Sequence, residues 1–186
     1  KATGREKRMA HVTLILGGAR SGKSQHGEVM ALTSGLNPVY IATAEAWDEE
    51  MRERIAAHQY RRVGHGWLDV EAPLALVEAI QGKAAEDRVL LVDCLTLWLT
   101  NLMLAERDID ATTAALLQAM TVAPGRIILI SNEVGFGIVP ENAMARRFRD
   151  LAGRLHQDIA RDADHVLLMV AGLPVERERP LPEVSA

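Results

Sequence analysis

The sequence has one cysteine, few aromatic residues and no long apolar run, and each shortage removes a class of protein. With Cys94 alone, no disulfide can form within the chain and no cysteine-based zinc site can be built; a lone thiol fits a reducing compartment. Apolar runs stop well short of the roughly 20 residues that a membrane-spanning helix needs. No charged-then-apolar leader precedes a small-residue cleavage site, so the expectation is a protein with no membrane span, in the cytoplasm. The 21 basic and 25 acidic residues are mixed along the chain, giving a net charge of −4 and no basic tract, so a nucleic acid is not an expected partner. His11, His26, His65, His156 and His165 show no metal-ligand spacing, and no structural metal is expected. Aromatic residues make up 4 %, leaving few stacking partners for a flat ligand.

What is present suffices for a core. The 186 residues are 48 % hydrophobic and 25 % charged, the balance of an ordinary soluble domain. A single domain is expected over residues 11–186. Lys1 to Arg8 is polar and precedes Met9, so residues 1–10 read as a disordered extension.

Five short apolar runs recur, at 12–16, 39–42, 89–92, 127–130 and 166–170. They are rich in β-branched residues and continuous instead of alternating, which predicts strands of a parallel sheet buried on both faces. Helical patterns fall between them, over 23–33, 48–60, 73–81, 95–107, 110–120 and 142–161. The last is the clearest: Met144, Phe148, Leu151, Leu155 and Ile159 recur at steps of three or four. Alternating strands and helices put ligands at the carboxyl ends of the strands. Residues 61–66 and 131–141 are the expected functional loops, and the proline-containing tail from 174 onward reads as irregular.

The first strand runs straight into Gly17-Gly18-Ala19-Arg20-Ser21-Gly22-Lys23-Ser24, which matches the phosphate-loop pattern with a helix opening at its end. Backbone N–H groups of such a loop cradle phosphates. Lys23 is expected on the β- and γ-phosphates, and the Ser24 hydroxyl on Mg2+. A carboxylate ending another buried strand should assist the metal. Asp93 ends 89–92 and fits that role, with a helix N-cap as the alternative. The fold class is therefore α/β, a P-loop NTPase-like, mostly parallel sheet flanked by helices. No Asn-Lys-x-Asp guanine reader is present, which argues against a GTPase switch.

Further strings carry a family resemblance: Tyr40-Ile41-Ala42-Thr43; Asp48-Glu49-Glu50-Met51 with Arg54-Ile55 and His58; Ser131 through Asn142, read Ser-Asn-Glu-Val-Gly-Phe-Gly-Ile-Val-Pro-Glu-Asn; and Phe148 to Gly153. From Val12 to Gly172 the chain resembles the bifunctional adenosylcobinamide kinase / adenosylcobinamide-phosphate guanylyltransferase of cobalamin biosynthesis. The resemblance implies two reactions at one nucleotide site. ATP or GTP phosphorylates the aminopropanol hydroxyl of adenosylcobinamide, and GTP then gives GMP to the resulting adenosylcobinamide phosphate. It implies that His58, in the Arg-Ile-x-x-His motif, carries the guanylyl group. A neutral imidazole near its ordinary pKa of about 6.5 is a competent nucleophile for such a step; by residue pattern alone, His58 would read as a surface histidine late in a helix.

The same resemblance places nucleotide contacts at Ala42, Thr43 and Ala44 after the second strand, at Gln59, Tyr60, Arg61 and Arg62 after the histidine, and at Glu71. It implies a homotrimer, for which the apolar cluster Trp98, Leu99, Leu102 and Met103 supplies either a subunit contact or core. Asn132 and Glu133 read as substrate or metal contacts, or equally as a turn and cap. Cys94 reads as a small core residue in preference to a nucleophile. Two other readings compete: a P-loop sensor that switches a partner surface, and a small-molecule kinase without transferase activity. The phosphate donor, ATP or GTP, stays open because no base-reading motif is legible.

Overall fold

The computed structural model describes residues 10–45 and 49–177. All but the last residue of the expected N-terminal extension, and Asp48 at the expected start of a helix, lie outside the described residues. The elements in chain order are β1 (Ala10–Gly17), α1 (Lys23–Leu32), β2 (Asn37–Ala42), α2 (Glu49–Arg62), β3 (Leu68–Glu71), α3 (Leu76–Lys83) and β4 (Arg88–Asp93). They continue with α4 (Leu95–Leu104), α5 (Ile109–Val122), β5 (Gly125–Asn132), α6 (Ala143–Asp162), β6 (His165–Val170) and β7 (Leu173–Arg177).

The strands form one seven-stranded sheet in the order β3-β2-β4-β5-β1-β6-β7, parallel except where β7 runs antiparallel to β6. The continuous apolar runs are its centre. Alternate side chains of each strand enter different cores, which is why the runs do not alternate in polarity. Leu14, Ile41, Leu90, Val92 and Leu129 pack with Leu76, Trp98, Leu116 and Leu155 of the helices α3 to α6. On the opposite face Ile15, Tyr40, Leu91, Ile128 and Ile130 pack with Ala31 of α1.

Two strands went unread in the sequence. β3, Leu-Asp-Val-Glu, is four residues on an edge, and only Val70 is partly covered. β7 begins where the tail was expected to be irregular; its Pro174 is tolerated because an edge strand can leave an N–H unpaired. The β6–β7 hairpin closes through Ala171 and Gly172, both at positive φ (51° and 81°), as a tight two-residue turn requires. Residues 178–186 lie outside the described residues.

Helix α4 stops at Leu104, short of the expected Arg107, and α5 starts under an Asp108 cap that accepts from the Ala111 N–H at 3.0 Å. Trp98, Leu99 and Leu102 are buried within the chain, so these three are core, while Met103 is half-buried.

Gly125 opens β5 with φ 82°, and a Cβ there would lie 2.1 Å from the Ala85 carbonyl oxygen and 2.6 Å from that of Arg88. Both obstacles are backbone and cannot swing aside. Gly125→Ala should lose about 3 kcal/mol of stability in denaturant unfolding. A loss below about 1 kcal/mol would show that the turn adapts.

Candidate active site

The site begins where β1 ends. Gly17 closes the strand, and residues 18–22 turn back so that α1 starts at Lys23, pointing its N-terminus at the carboxyl edge of the sheet. Gly22 occupies the N-cap position at φ 93°, with no side chain capping the helix, and a Cβ on it would press the Gly172 Cα at 3.2 Å. That contact belongs to the β6–β7 turn, whose Gly172 N–H also donates to the Ser21 carbonyl at 3.0 Å and holds the loop from one side. The uncapped N-terminus leaves its first N–H groups for an anion.

Lys23 is buried at 7 % exposure, and its Nζ donates to the Gly18 carbonyl at 2.7 Å. Burial lowers its pKa, opposed by the electrostatic influence of Cys94 and Asp93. The Ser21 hydroxyl is buried and, among the described residues, finds no hydrogen-bond partner. A buried cation and an orphaned hydroxyl inside a loop are costly unless a polar ligand completes them.

They line a cavity of about 880 Å3. One wall is residues 19–25, so Ala19, Arg20, Ser21, Gly22, Lys23 and Ser24 are gathered there as the motif implies. Opposite stand Thr96 and Thr100 of α4, then Asn132, Glu133 and Val134 after β5, and Phe148 of α6. Asn132 Nδ2 donates to Thr96 Oγ1 at 2.9 Å, fixing α4 to the end of β5 within this facing wall. The threonines were not singled out in the sequence. The readable signal was their i, i+4 spacing in an otherwise apolar helix, which puts both on one face.

Asp93 ends β4 near the loop. It does not cap α4: Cys94 holds that position, without a side-chain capping bond. Its Oδ2 instead accepts from the Tyr40 hydroxyl at 3.0 Å, and burial together with this carboxylate pushes the phenol pKa far above its ordinary value. The Arg62 guanidinium lies 3.4 Å over the Tyr40 ring and pairs with Asp69 at 3.0 Å. Arg62, expected to face a triphosphate, is thus buried in a structural pair.

Ala42 ends β2 beside Asp93 and Thr43 and Ala44 follow it, but Thr43 is fully buried. Its hydroxyl donates to the Cys94 carbonyl at 2.7 Å and accepts from the Cys94 N–H at 2.8 Å, so it is spent on the backbone. Cys94 is buried, and desolvation first, then Asp93, pushes its thiol up to about 11, which makes it a core residue and a poor nucleophile.

Gln59 and Tyr60 are exposed on α2, and Glu71 is exposed at the end of β3. His58 and Arg61 belong to α2 by backbone; their side chains lie outside what the structure describes. Gln59, Tyr60 and Glu71 do not line the cavity. Between β2, which leads into α2, and β1 stand β4 and β5.

The family model for cobinamide kinase / cobinamide phosphate guanyltransferase matches residues 13–177. The chain belongs to this family. Two members are the bifunctional adenosylcobalamin biosynthesis proteins CobP of Pseudomonas aeruginosa and CobU of Salmonella typhimurium. CobP is 53 % identical over 164 residues, covering 87 % of this chain and 94 % of its own. CobU is 40 % identical over 178 residues, covering 88 % and 97 %. Among solved structures, the flagellar accessory protein FlaH of Methanocaldococcus jannaschii aligns with a TM-score of 0.50 at 14 % identity, over 85 % of this chain and 70 % of that one, and shares the fold alone. As a member of the cobinamide kinase / guanyltransferase family, the chain is a bifunctional, nucleotide-using enzyme of cobalamin biosynthesis. No helix among the described residues is long and apolar enough to cross a membrane.

Proposed function

We propose that one nucleotide site, built on the phosphate loop, serves both reactions, with a fresh nucleoside triphosphate bound for each. The observation that carries this is the cavity itself: buried Lys23, orphaned Ser21 and the uncapped start of α1 converge on a single space lined also by Ser24. In the first reaction the aminopropanol hydroxyl of adenosylcobinamide attacks the γ-phosphorus of ATP or GTP, and the nucleoside diphosphate leaves. Lys23 and the loop N–H groups hold the charge that develops on the phosphate oxygens. Glu133, on the facing wall, is placed to take the hydroxyl proton.

In the second reaction an imidazole nitrogen of His58 attacks the α-phosphorus of GTP and pyrophosphate leaves. An oxygen of adenosylcobinamide phosphate then attacks the same phosphorus, which frees His58 and forms adenosylcobinamide-GDP. Ala42, Ala44, Gln59, Tyr60, Arg61 and Glu71 are assigned to the nucleotide in this step by their match to the family pattern. The surroundings are those of a cytoplasmic homotrimer without a nucleic-acid partner.

The donors present suit Mg2+, a hard cation that takes oxygen ligands, binds through one or two protein groups and keeps water and phosphate as the others. Ser24 and Asp93 would hold it, and it would neutralise charge on the triphosphate.

The whole reading is tested by supplying the protein with α-labelled GTP, Mg2+ and adenosylcobinamide: label should appear in adenosylcobinamide-GDP. Only unlabelled adenosylcobinamide phosphate would leave a kinase alone. Asp93→Asn offers a finer check. The amide oxygen can keep the Tyr40 hydrogen bond while the charge is lost, so stability should hold and the Mg2+ concentration for half-activity should rise about tenfold or more. An unmoved titration would reduce Asp93 to an anchor for Tyr40.

A further inference from the structure

The connection from β5 to α6 is tied down at both ends and bare in the middle. At its start the Glu133 N–H donates to the Gly17 carbonyl at 2.9 Å, fastening it to the phosphate loop, and the Glu133 carboxylate accepts from the Gly135 N–H. At its end the Arg146 guanidinium donates to the carbonyls of Pro140 at 2.8 Å and Glu141 at 2.5 Å, and Asn142 caps α6. Between these anchors the sequence Val-Gly-Phe-Gly-Ile-Val carries no polar side chain. Phe136 is 84 % exposed, Ile138 96 % and Val139 59 %, with Met144 of the first α6 turn at 51 %. Large apolar side chains grouped on an anchored loop mark a binding surface.

Its position says what covers it. The loop leaves the catalytic cavity directly, since Glu133 and Val134 line that cavity and Phe148 of α6 completes the wall. The acceptor has to bring a hydroxyl, and later a phosphate, into this space alongside a nucleotide. Its corrin macrocycle with an adenosyl group cannot follow into the room that remains, so the ring stays at the rim. That ring is broad and carries methyl groups between the amide arms of its edge, and the rim on the β5 side is the apolar tip that such methyl groups can cover.

We infer that Phe136, Ile138 and Val139 form the platform that receives the corrin macrocycle of the acceptor, and that they set acceptor affinity without touching the nucleotide. This rests on the kinase and transferase reading above. It also fits the scarcity of aromatic residues: the platform grips by aliphatic area and a single phenyl ring, not by stacked rings.

The test uses the full chain with Phe136→Ser, Ile138→Ser and the double substitution. Kinase rates are measured against adenosylcobinamide at saturating GTP and Mg2+, with GTP affinity by calorimetry, oligomeric state by sedimentation, and 1-amino-2-propanol as an acceptor that lacks the macrocycle. Burying one such side chain is worth about a tenfold change in affinity, so KM for adenosylcobinamide should rise about tenfold in each single variant and further in the double. GTP affinity should stay within about twofold, sedimentation should not change, and the small amino alcohol should be used equally poorly by variants and wild type. An unmoved KM in the double variant overturns the inference. So does a changed sedimentation pattern with KM unmoved, which would give the tip to a second copy of the chain. A wild type that phosphorylates no adenosylcobinamide at all would instead overturn the functional reading on which the inference stands.

Discussion

Lys23→Ala protein is expected to lose both activities together, each by about a thousandfold, the scale for removing one preorganised charge from a reacting phosphate. The reason is geometric. The ammonium is buried at 7 % exposure and held to the Gly18 carbonyl at 2.7 Å, so it waits inside the cradle without having to be recruited from solvent. Burial makes the charge costly, and nearby Asp93 offsets part of that cost. An arginine should not rescue it, because a planar fork cannot occupy the pocket of a compact ammonium. Thermal unfolding should stay close to wild type, since the residue faces a cavity and contributes little packing. The informative comparison is between the two reactions: guanylyl transfer at the wild-type rate, with phosphorylation lost, would mean two nucleotide sites.

The centre of this fold was legible because burial on both faces writes itself into composition. Val89 to Val92 and Ile127 to Ile130 had no polar residue to misplace, and both became strands with side chains in two cores. The phosphate loop was equally plain, since its chemistry is local to consecutive residues. The edges were not legible. Leu68 to Glu71 and Leu173 to Arg177 are short, mostly exposed where their burial is described and interrupted by charge or proline, so they owe their strand form to a neighbour and not to their own pattern.

Long-range polar contacts were invisible for a related reason. Tyr40 reaches Asp93 across 53 positions, and nothing in either neighbourhood announces the other. Arg62 reads as a triphosphate ligand because the family pattern puts it after the motif histidine and a guanidinium can hold phosphate by a bidentate contact. Its burial against Tyr40 and Asp69 depends on α2 ending beside β3, which only the fold decides. Trp98 illustrates the opposite ambiguity. A helix that is apolar all round is either an interface or enclosed, and α4 is enclosed because the sheet and α6 flank it. The Phe136 tip lies in one of the strings that carry the family resemblance, yet its meaning as a surface required the exposure of each side chain.

His58→Asn should abolish guanylyl transfer while leaving substantial kinase activity. Wild-type enzyme given GTP and Mg2+ but no corrinoid should accumulate about one GMP per active site, because the nucleophile has reacted at the α-phosphorus and no acceptor arrives to remove the group. The bond should be a phosphoramidate, P–N, broken by acid and resistant to base. An acyl phosphate on Asp or Glu would be cleaved by hydroxylamine, and a serine ester would survive acid, so the linkage distinguishes the carriers. The guanylyl step needs the lone pair of a neutral imidazole nitrogen. The kinase step has no such need: γ-phosphoryl transfer uses Lys23, Ser24 and the loop N–H groups, and no covalent intermediate. The α2 backbone carries position 58 ahead of Arg62, whose guanidinium anchors the end of the helix, so asparagine at 58 should leave that anchor and the fold intact. A variant that still forms the labelled adduct would move the carrier to another residue. Loss of both activities together with GTP affinity would make His58 a binding group instead of a nucleophile.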